Sequence, residues 1–341
     1  MISNFPHFET HHCVTGSMRH MYAFHQHPIS EEMLLGLGEG VGFIYWHPKG
    51  SDPFLGGRGT PKPSMEELTG QRTGVRITPH NTDSAAKARH TLLELLDSGE
   101  PVMLQLDMGF LPYFDFDGQE YHFGGHAVVA CGYDSTTQTV LIADRDLELH
   151  PVPLDKLEAA RGSKYKPFPP HNRWYTFDFS EKHDPTPEDI YTAIQHQADL
   201  MLNPPIQNIG IAGIRKAARL IPSWATIDHL GWVLFNGYIF ISPVGGSGGG
   251  NFRYMFSRFL SEASQITQDE RIAESAVHFK TVADRWAAVG ECFKAGSEMD
   301  DPVSALSDIA AMLLSVADLE ESAWAGLRNT MLEKQKAATI R

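Results

Sequence analysis

One cysteine and five histidines fall within the nineteen residues "ETHHCVTGSMRHMYAFHQH", Glu9 to His27. Cys13 carries the widest chemistry of the set. A free thiol is a small buried hydrophobe, a metal ligand, or, once ionised, a nucleophile. Apolar residues at Val14, Met18, Met21 and Phe24 have the spacing of one helical face, so Cys13 sits where a helix begins. The unpaired N–H groups of a helix start point at such a sulfur and favour its thiolate. A nucleophile also needs a base, and a group that orients the base. "GHAVVACGYDSTTQTVLIADRD" reads as two antiparallel strands around a polar turn, with His126 opening the first and Asp144 ending the second. Those two strand ends lie side by side in a hairpin, within reach of a hydrogen bond.

Other residues compete for these roles. Asp134 falls at the hairpin turn, where capping suits it better, and Asp146 shares a face with Asp144. Cys131 points to the opposite strand face from His126, and Cys292 lies in an apolar helical stretch; both are expected in the core. A metal reading would gather Cys13 with His11, His12, His20, His25 or His27. No carboxylate or CxxC spacing completes a recognisable ligand set, so no metal is expected.

The elements that must position these residues divide the chain into two halves. Before residue 186 helix and strand signals alternate: "PISEEMLLGLG" as a helix capped by Ser30, a buried strand in "GVGFIYW", and a Gly/Pro-rich loop from Pro48 to Gly70. A strand "TGVRIT", a helix capped by Thr82 or Asp83, and strands "PVMLQLD" and "RWYTFDFS" follow. Glycine recurs at every second position from Gly36 to Gly42, which marks backbone that something else approaches closely. From Thr186, Pro187 and Glu188 (an N-cap, an N1 proline and an acidic first turn) the pattern turns helical, near 209–221, 225–237, 251–266, 270–293 and 302–337. The expected domains are therefore 1–185 and 186–341.

Composition limits the function. The 341 residues are 42% hydrophobic and 21% charged, values of a soluble globular protein. A net charge of −14 argues against nucleic-acid or anionic-membrane binding. Three scattered cysteines give no disulfide framework. The longest apolar run, "WVLFNGYIFIS", is short of a membrane span, and the N-terminus lacks a signal-peptide pattern, so the cytoplasm is expected.

A helix-borne Cys followed far downstream by strand-borne His and Asp is the layout of papain-like enzymes. A nearer resemblance is carried by "HCVTGSMRHMYAFHQHPISEEMLLGLGEGVGFIYW", "LPYFDFDGQEYHFGGHAVVACGYD" and "VLIADRD". These runs resemble the N-terminal domain of the butirosin biosynthesis protein H family. The helical half, with "GGSGGGNFRYMFSRFLSEA", is similar to the domain of unknown function that usually follows it. The resemblance implies an α+β fold: a papain-like N-terminal domain with an antiparallel sheet, then an α-helical C-terminal domain. It implies an acyltransferase that takes an acyl group from the pantetheine thioester of an acyl carrier protein, or of coenzyme A, to a small-molecule amine. Cys13 would accept the acyl group, His126 would act as base and acid, and Asp144 would orient it. No metal or redox cofactor is implied, and a homodimer is allowed.

Two rivals stand beside this reading: hydrolysis on the same fold (amidase, thioesterase or peptidase), and a non-catalytic binding protein. One departure bears on both. Many papain-like enzymes carry a Gln shortly before the Cys as oxyanion donor, and "NFPHFETHHC" has none. The Cys13 N–H supplies one donor; His7, His11, His12 or the glycine loop around Glu39 are candidates for the second. In the helical half, a glycine-rich loop before a helix places Gly248, Gly249, Asn251 and Arg253 as candidate holders of a pantetheine or coenzyme A phosphate. "GIRKAARL", with Arg215, Lys216 and Arg219, is the candidate basic patch for a carrier protein.

Overall fold

In a computed structural model, residues 2 and 4–339 are described, apart from 60 and 117, with side chains through Glu333. The chain opens with α1 (Cys13–Phe24), α2 (Glu31–Leu37), β1 (Val41–Trp46), β2 (Phe54–Arg58), α3 (Met65–Gln71), β3 (Arg76–His80) and α4 (Ala85–Asp97). Then come β4 (Val102–Leu106), β5 (His126–Asp134), β6 (Thr139–Ala143), β7 (Leu149–Pro153), α5 (Leu154–Gly162) and β8 (Trp174–Asp178). Six further helices complete it: α6 (Pro187–Leu202), α7 (Gly210–Leu220), α8 (Leu230–Ile241), α9 (Arg253–Thr267), α10 (Glu270–Ser297) and α11 (Leu306–Thr339). The architecture is α+β, with the strands in the first half and most of the helix in the second.

Two compact units result. The first comprises Met1–Leu34 and Thr73–His183, and the second Leu35–Arg72 and Asp184–Arg341. A single cut between 185 and 186 is thus only half of the division. The segment 35–72, which the sequence places in the catalytic half, packs with the helices. Its glycines show why. A Cβ at Gly36 would lie 2.3 Å from the ring of Phe259, and one at Gly42 would lie 2.7 Å from the Cα of Gly59. The stretch from Pro48 to Gly70 also holds more structure than a loop: β2 pairs with β1, and α3 is set by a full Ser64–Glu67 capping box.

The first unit is built on a six-stranded antiparallel sheet in the order β3-β8-β4-β5-β6-β7. Leu92 and Leu96 of α4 and Leu157 and Ala160 of α5 close one face over Leu104, Val128, Val140 and Ile142. Burial of such aliphatic side chains contributes roughly 1.5–3 kcal/mol each before chain entropy is counted. Val129 pairs with Ala143 and Ala130 with Ile142, after which a bulge at Cys131 breaks the register. This register carries the start of β5 and the end of β6 to one edge of the core. Asp134 caps the hairpin turn, accepting from the Thr136 N–H at 2.8 Å, as its position in the sequence leads one to expect. The cap of α4 is Ser84 rather than Thr82 or Asp83.

In the second unit, the helical run Pro302–Glu333, most of it α11, is long and apolar enough to cross a membrane. Its apolar side chains Leu313, Val316 and Trp324 are instead packed away, and Glu320, wholly buried, sits among them. A carboxylate at mid-helix that accepts from Arg253, Trp286 and Trp324 marks a core helix.

Candidate active site

The site begins with the segment that leads into α1. Its approach to the hairpin is fixed by backbone: the Thr10 N–H donates to the carbonyl of Arg145 at 2.8 Å. The His7 ring adds a second tie, with Nε2 2.9 Å from the carbonyl oxygen of Leu147. At Gly16 an added Cβ would fall 2.8 Å from the Cβ of Thr10, so only glycine lets the segment lie this close to the helix. α1 then starts at Cys13, with His12 as N-cap and Val14, Met18 and Met21 buried.

Cys13, part-buried at the first helical position, hydrogen-bonds His126. On its other side, His126 Nε2 meets Asp144 Oδ2 at 2.7 Å. That contact leaves Nδ1 for the sulfur. Tyr113 donates its hydroxyl to the same Asp144 oxygen at 2.9 Å, and Phe114 sets its ring edge-on to His126 at 5.6 Å. His126 and Asp144 are both buried.

Burial alone would push the Cys13 thiol up. The hydrogen bond and charge of His126, the Ala127 backbone N–H and the charge of Arg145 outweigh it, and the thiol lies below its ordinary value. His126 moves the other way: burial lowers it, but Asp144 and the Cys13 sulfur raise it to about 9. Burial raises Asp144, and His126, Arg145 and Tyr113 bring it below the usual carboxylate range. The shifts point one way: each favours the ionised form of its group, the thiolate of Cys13, the imidazolium of His126 and the carboxylate of Asp144. Such a constellation can attack a carbonyl carbon and shuttle a proton to and from the leaving or entering group.

The structure thus brings Cys13, His126 and Asp144 together. Asp146, the competitor of Asp144, is taken by His150 at 2.9 Å and by the Glu148 N–H at 2.9 Å. Cys131 is buried and its thiol is pushed up to about 12, an inert core position. Cys292 is only part-buried, so it is less deeply placed than its apolar surroundings suggest.

Two expectations about binding residues are corrected. Arg253 is wholly buried, with Nε and Nη2 on Glu320 at 2.9 and 2.6 Å and Nη1 on the Asn251 carbonyl at 2.6 Å. Asn251 is buried too, and the Gly249 N–H turns to the Ser247 hydroxyl at 3.1 Å. The loop at Gly248, Gly249, Asn251 and Arg253 therefore seats α9 and presents no cation to a phosphate. Of the basic patch, Arg215 is neutralised by Asp318 and Glu321 at 2.6 and 2.5 Å, and Lys216 donates to the neutral Asn208 side chain at 2.6 Å.

The second oxyanion donor also narrows. His12 faces Thr15 with its Nδ1 3.2 Å from the hydroxyl, and His7 is held by Leu147 and Phe5. Glu39 is paired with Arg72 at 2.5 Å and His196 at 3.3 Å within the second unit. The Cys13 N–H, at a helix start without an intrahelical acceptor, is the first donor, and His11 stays a candidate for the second. His20, buried beside Phe8, is lowered to about 4 by burial and stays neutral. Sequence reasoning missed Tyr113 and Arg145. "LPYFDF" gave only an aromatic signal, and nothing local tied the Tyr113 hydroxyl to Asp144.

A cysteine at the head of a helix, with its histidine and carboxylate on an antiparallel sheet, defines a papain-like α+β domain. Residues 12–145 match the family described as butirosin biosynthesis protein H, N-terminal. Residues 155–327 match the domain of unknown function DUF4872. The chain belongs to the family that joins these two domains, one tied by its name to biosynthesis of the antibiotic butirosin. No curated protein matches it.

Proposed function

We propose that the protein is a cysteine-dependent acyltransferase that moves an acyl group from a pantetheine thioester to a small-molecule amine. The observation that carries this is the Cys13–His126–Asp144 chain at the start of α1, with the thiol lowered and His126 raised. The Cys13 thiolate attacks the thioester carbonyl, forming a C–S bond, and the Cys13 N–H faces the developing oxyanion. The bond to the pantetheine sulfur then breaks, and that sulfur takes the proton of His126. In the acyl-enzyme the Cys13 sulfur is neutral and no longer holds a proton on the imidazole, so His126, having given its proton to the leaving thiol, stays neutral and ready to accept one. It removes a proton from the attacking amine as the bond to Cys13 breaks. Exchange between two sulfurs is close to thermoneutral, and amide formation drives the sequence forward.

The donor is an acyl carrier protein or coenzyme A thioester, and the chemistry calls on no metal or redox cofactor. Both substrates belong to the cytoplasm, where we place the reaction. Intact-mass spectrometry after incubation with a panel of pantetheine thioesters tests the reading. Wild type should gain the acyl mass and Cys13→Ala should not. Absence of an adduct with every donor would sink it, and release of free acid in the presence of amines would favour hydrolysis.

A further inference from the structure

Glu31 is the first residue of α2 and is 2% exposed, yet neither unpaired helix geometry nor the catalytic chain accounts for it. Its carboxylate reaches back to the entrance of α1. Oε2 accepts from the His11 N–H at 2.9 Å, and Oε1 accepts from the His12 N–H at 2.7 Å and from the Thr15 hydroxyl at 2.9 Å. All three donors flank Cys13, one and two residues before it and two after. Charge-assisted bonds of this kind are short and about twice as strong as neutral ones.

We propose that Glu31 is a positioning residue for Cys13. By holding the N–H groups of His11 and His12 it fixes the turn into α1, and with it the direction of the Cys13 sulfur towards His126. The proposal rests on the reading of Cys13 as the nucleophile. The side chain type matters: the three partners are all donors, so the site wants an acceptor only. A glutamine would turn an NH2 towards one of those donors, and an aspartate would fall short by one methylene. The imidazole whose charge acts on the carboxylate is that of His11, on the segment that it grips, while His12 contributes its backbone N–H. Burial raises Glu31, against the lowering by these same hydrogen bonds, so acid would also loosen the turn.

The test is the rate of iodoacetamide alkylation of Cys13 in the full chain, followed by peptide mass spectrometry across pH, with melting temperature recorded alongside. It needs no acyl donor. In Glu31→Gln the rate at about pH 6.5 should fall roughly tenfold, while at about pH 10, where any thiol is ionised, it should stay within about twofold of wild type. The effective thiol ionisation thus moves towards that of an ordinary cysteine. Thr15→Val, which removes one donor and keeps the shape, should move it the same way by about twofold, and guards against a Gln variant that fails to fold. Profiles of both variants that superimpose on wild type would overturn the proposal. So would an equal loss at every pH with a fallen melting temperature, the mark of a merely structural contact. Wild-type Cys13 that reacts at neutral pH no faster than an ordinary thiol would instead overturn the nucleophile reading, before any variant is compared.

Discussion

Thr10 and Arg145 are joined by one backbone hydrogen bond of 2.8 Å, from the N–H of the first to the carbonyl of the second. Thr10 lies three residues before Cys13, and Arg145 directly follows Asp144. The bond therefore lays the run that enters α1 alongside the run that leaves β6. Cys13 and Asp144, far apart in the sequence, are thereby held on neighbouring runs of main chain.

Gly16 protects that bond, because a Cβ there would lie within 2.8 Å of the Thr10 side chain. Gly16→Ala should push the segment off α1, with a stability loss of about 1–3 kcal/mol. The acylation rate of Cys13 should fall by about tenfold or more, since a shift of 1 Å at reacting atoms is costly. Urea unfolding and burst acylation measure the two effects; unchanged acylation would show that the Thr10 contact does not position the thiol.

The pH dependence follows from the signs. Cys13 is lowered and His126 is raised to about 9, so on the proposed mechanism the reactive ion pair would span the range from the depressed thiol ionisation up to that value. Acylation rate against pH should be bell-shaped, with a falling limb near about 9 belonging to the pair. Asp144→Asn keeps a hydrogen-bond acceptor and removes the charge that raises His126. Its falling limb should move to lower pH by about one unit or more. A limb that stays in place would mean that Asp144 does not govern the imidazole.

Tyr113 donates to the same Asp144 oxygen as His126, and Asp144 Oδ1 is buried without a hydrogen-bond partner among the described residues. Tyr113→Phe removes one bond to a charged group, worth about 1.5–3 kcal/mol, from a carboxylate with little other support. Asp144 should become easier to protonate, so activity on the acid side should be lost at higher pH than in wild type. A steady-state profile from acid to neutral pH decides it; an acid limb that does not move removes Tyr113 from the site.

Arg253 and Glu320 make a buried pair completed by the indoles of Trp286 and Trp324 at 2.7 and 3.0 Å. Arg253→Met leaves the Glu320 charge uncompensated and should cost about 3–5 kcal/mol in denaturant unfolding. At temperatures where the variant is folded, the thioester KM should equal that of wild type. A raised KM with unchanged stability would restore a ligand-binding role to this arginine.

The sequence alone singled out the three polar groups of the candidate site. Cys13 at a helix start, His126 at a strand start and Asp144 at a strand end are local statements, made by apolar periodicity and turn chemistry, and a hairpin register converts two of them into a contact. The helical second half was legible for the same reason, since caps and 3.6-residue periodicity are written within each segment. What needed the tertiary structure was every question of partner. Arg253 beside a glycine-rich loop reads as an anion holder until Glu320, 67 residues on, takes its Nε and Nη2. Segment 35–72 reads as part of the catalytic half until Phe259 closes on Gly36. Tyr113 and Glu31 look like an aromatic run and an acidic first turn until their partners are seen. Burial and pairing join positions that no local spacing relates, because the free energy of a buried polar group depends on which distant donor reaches it.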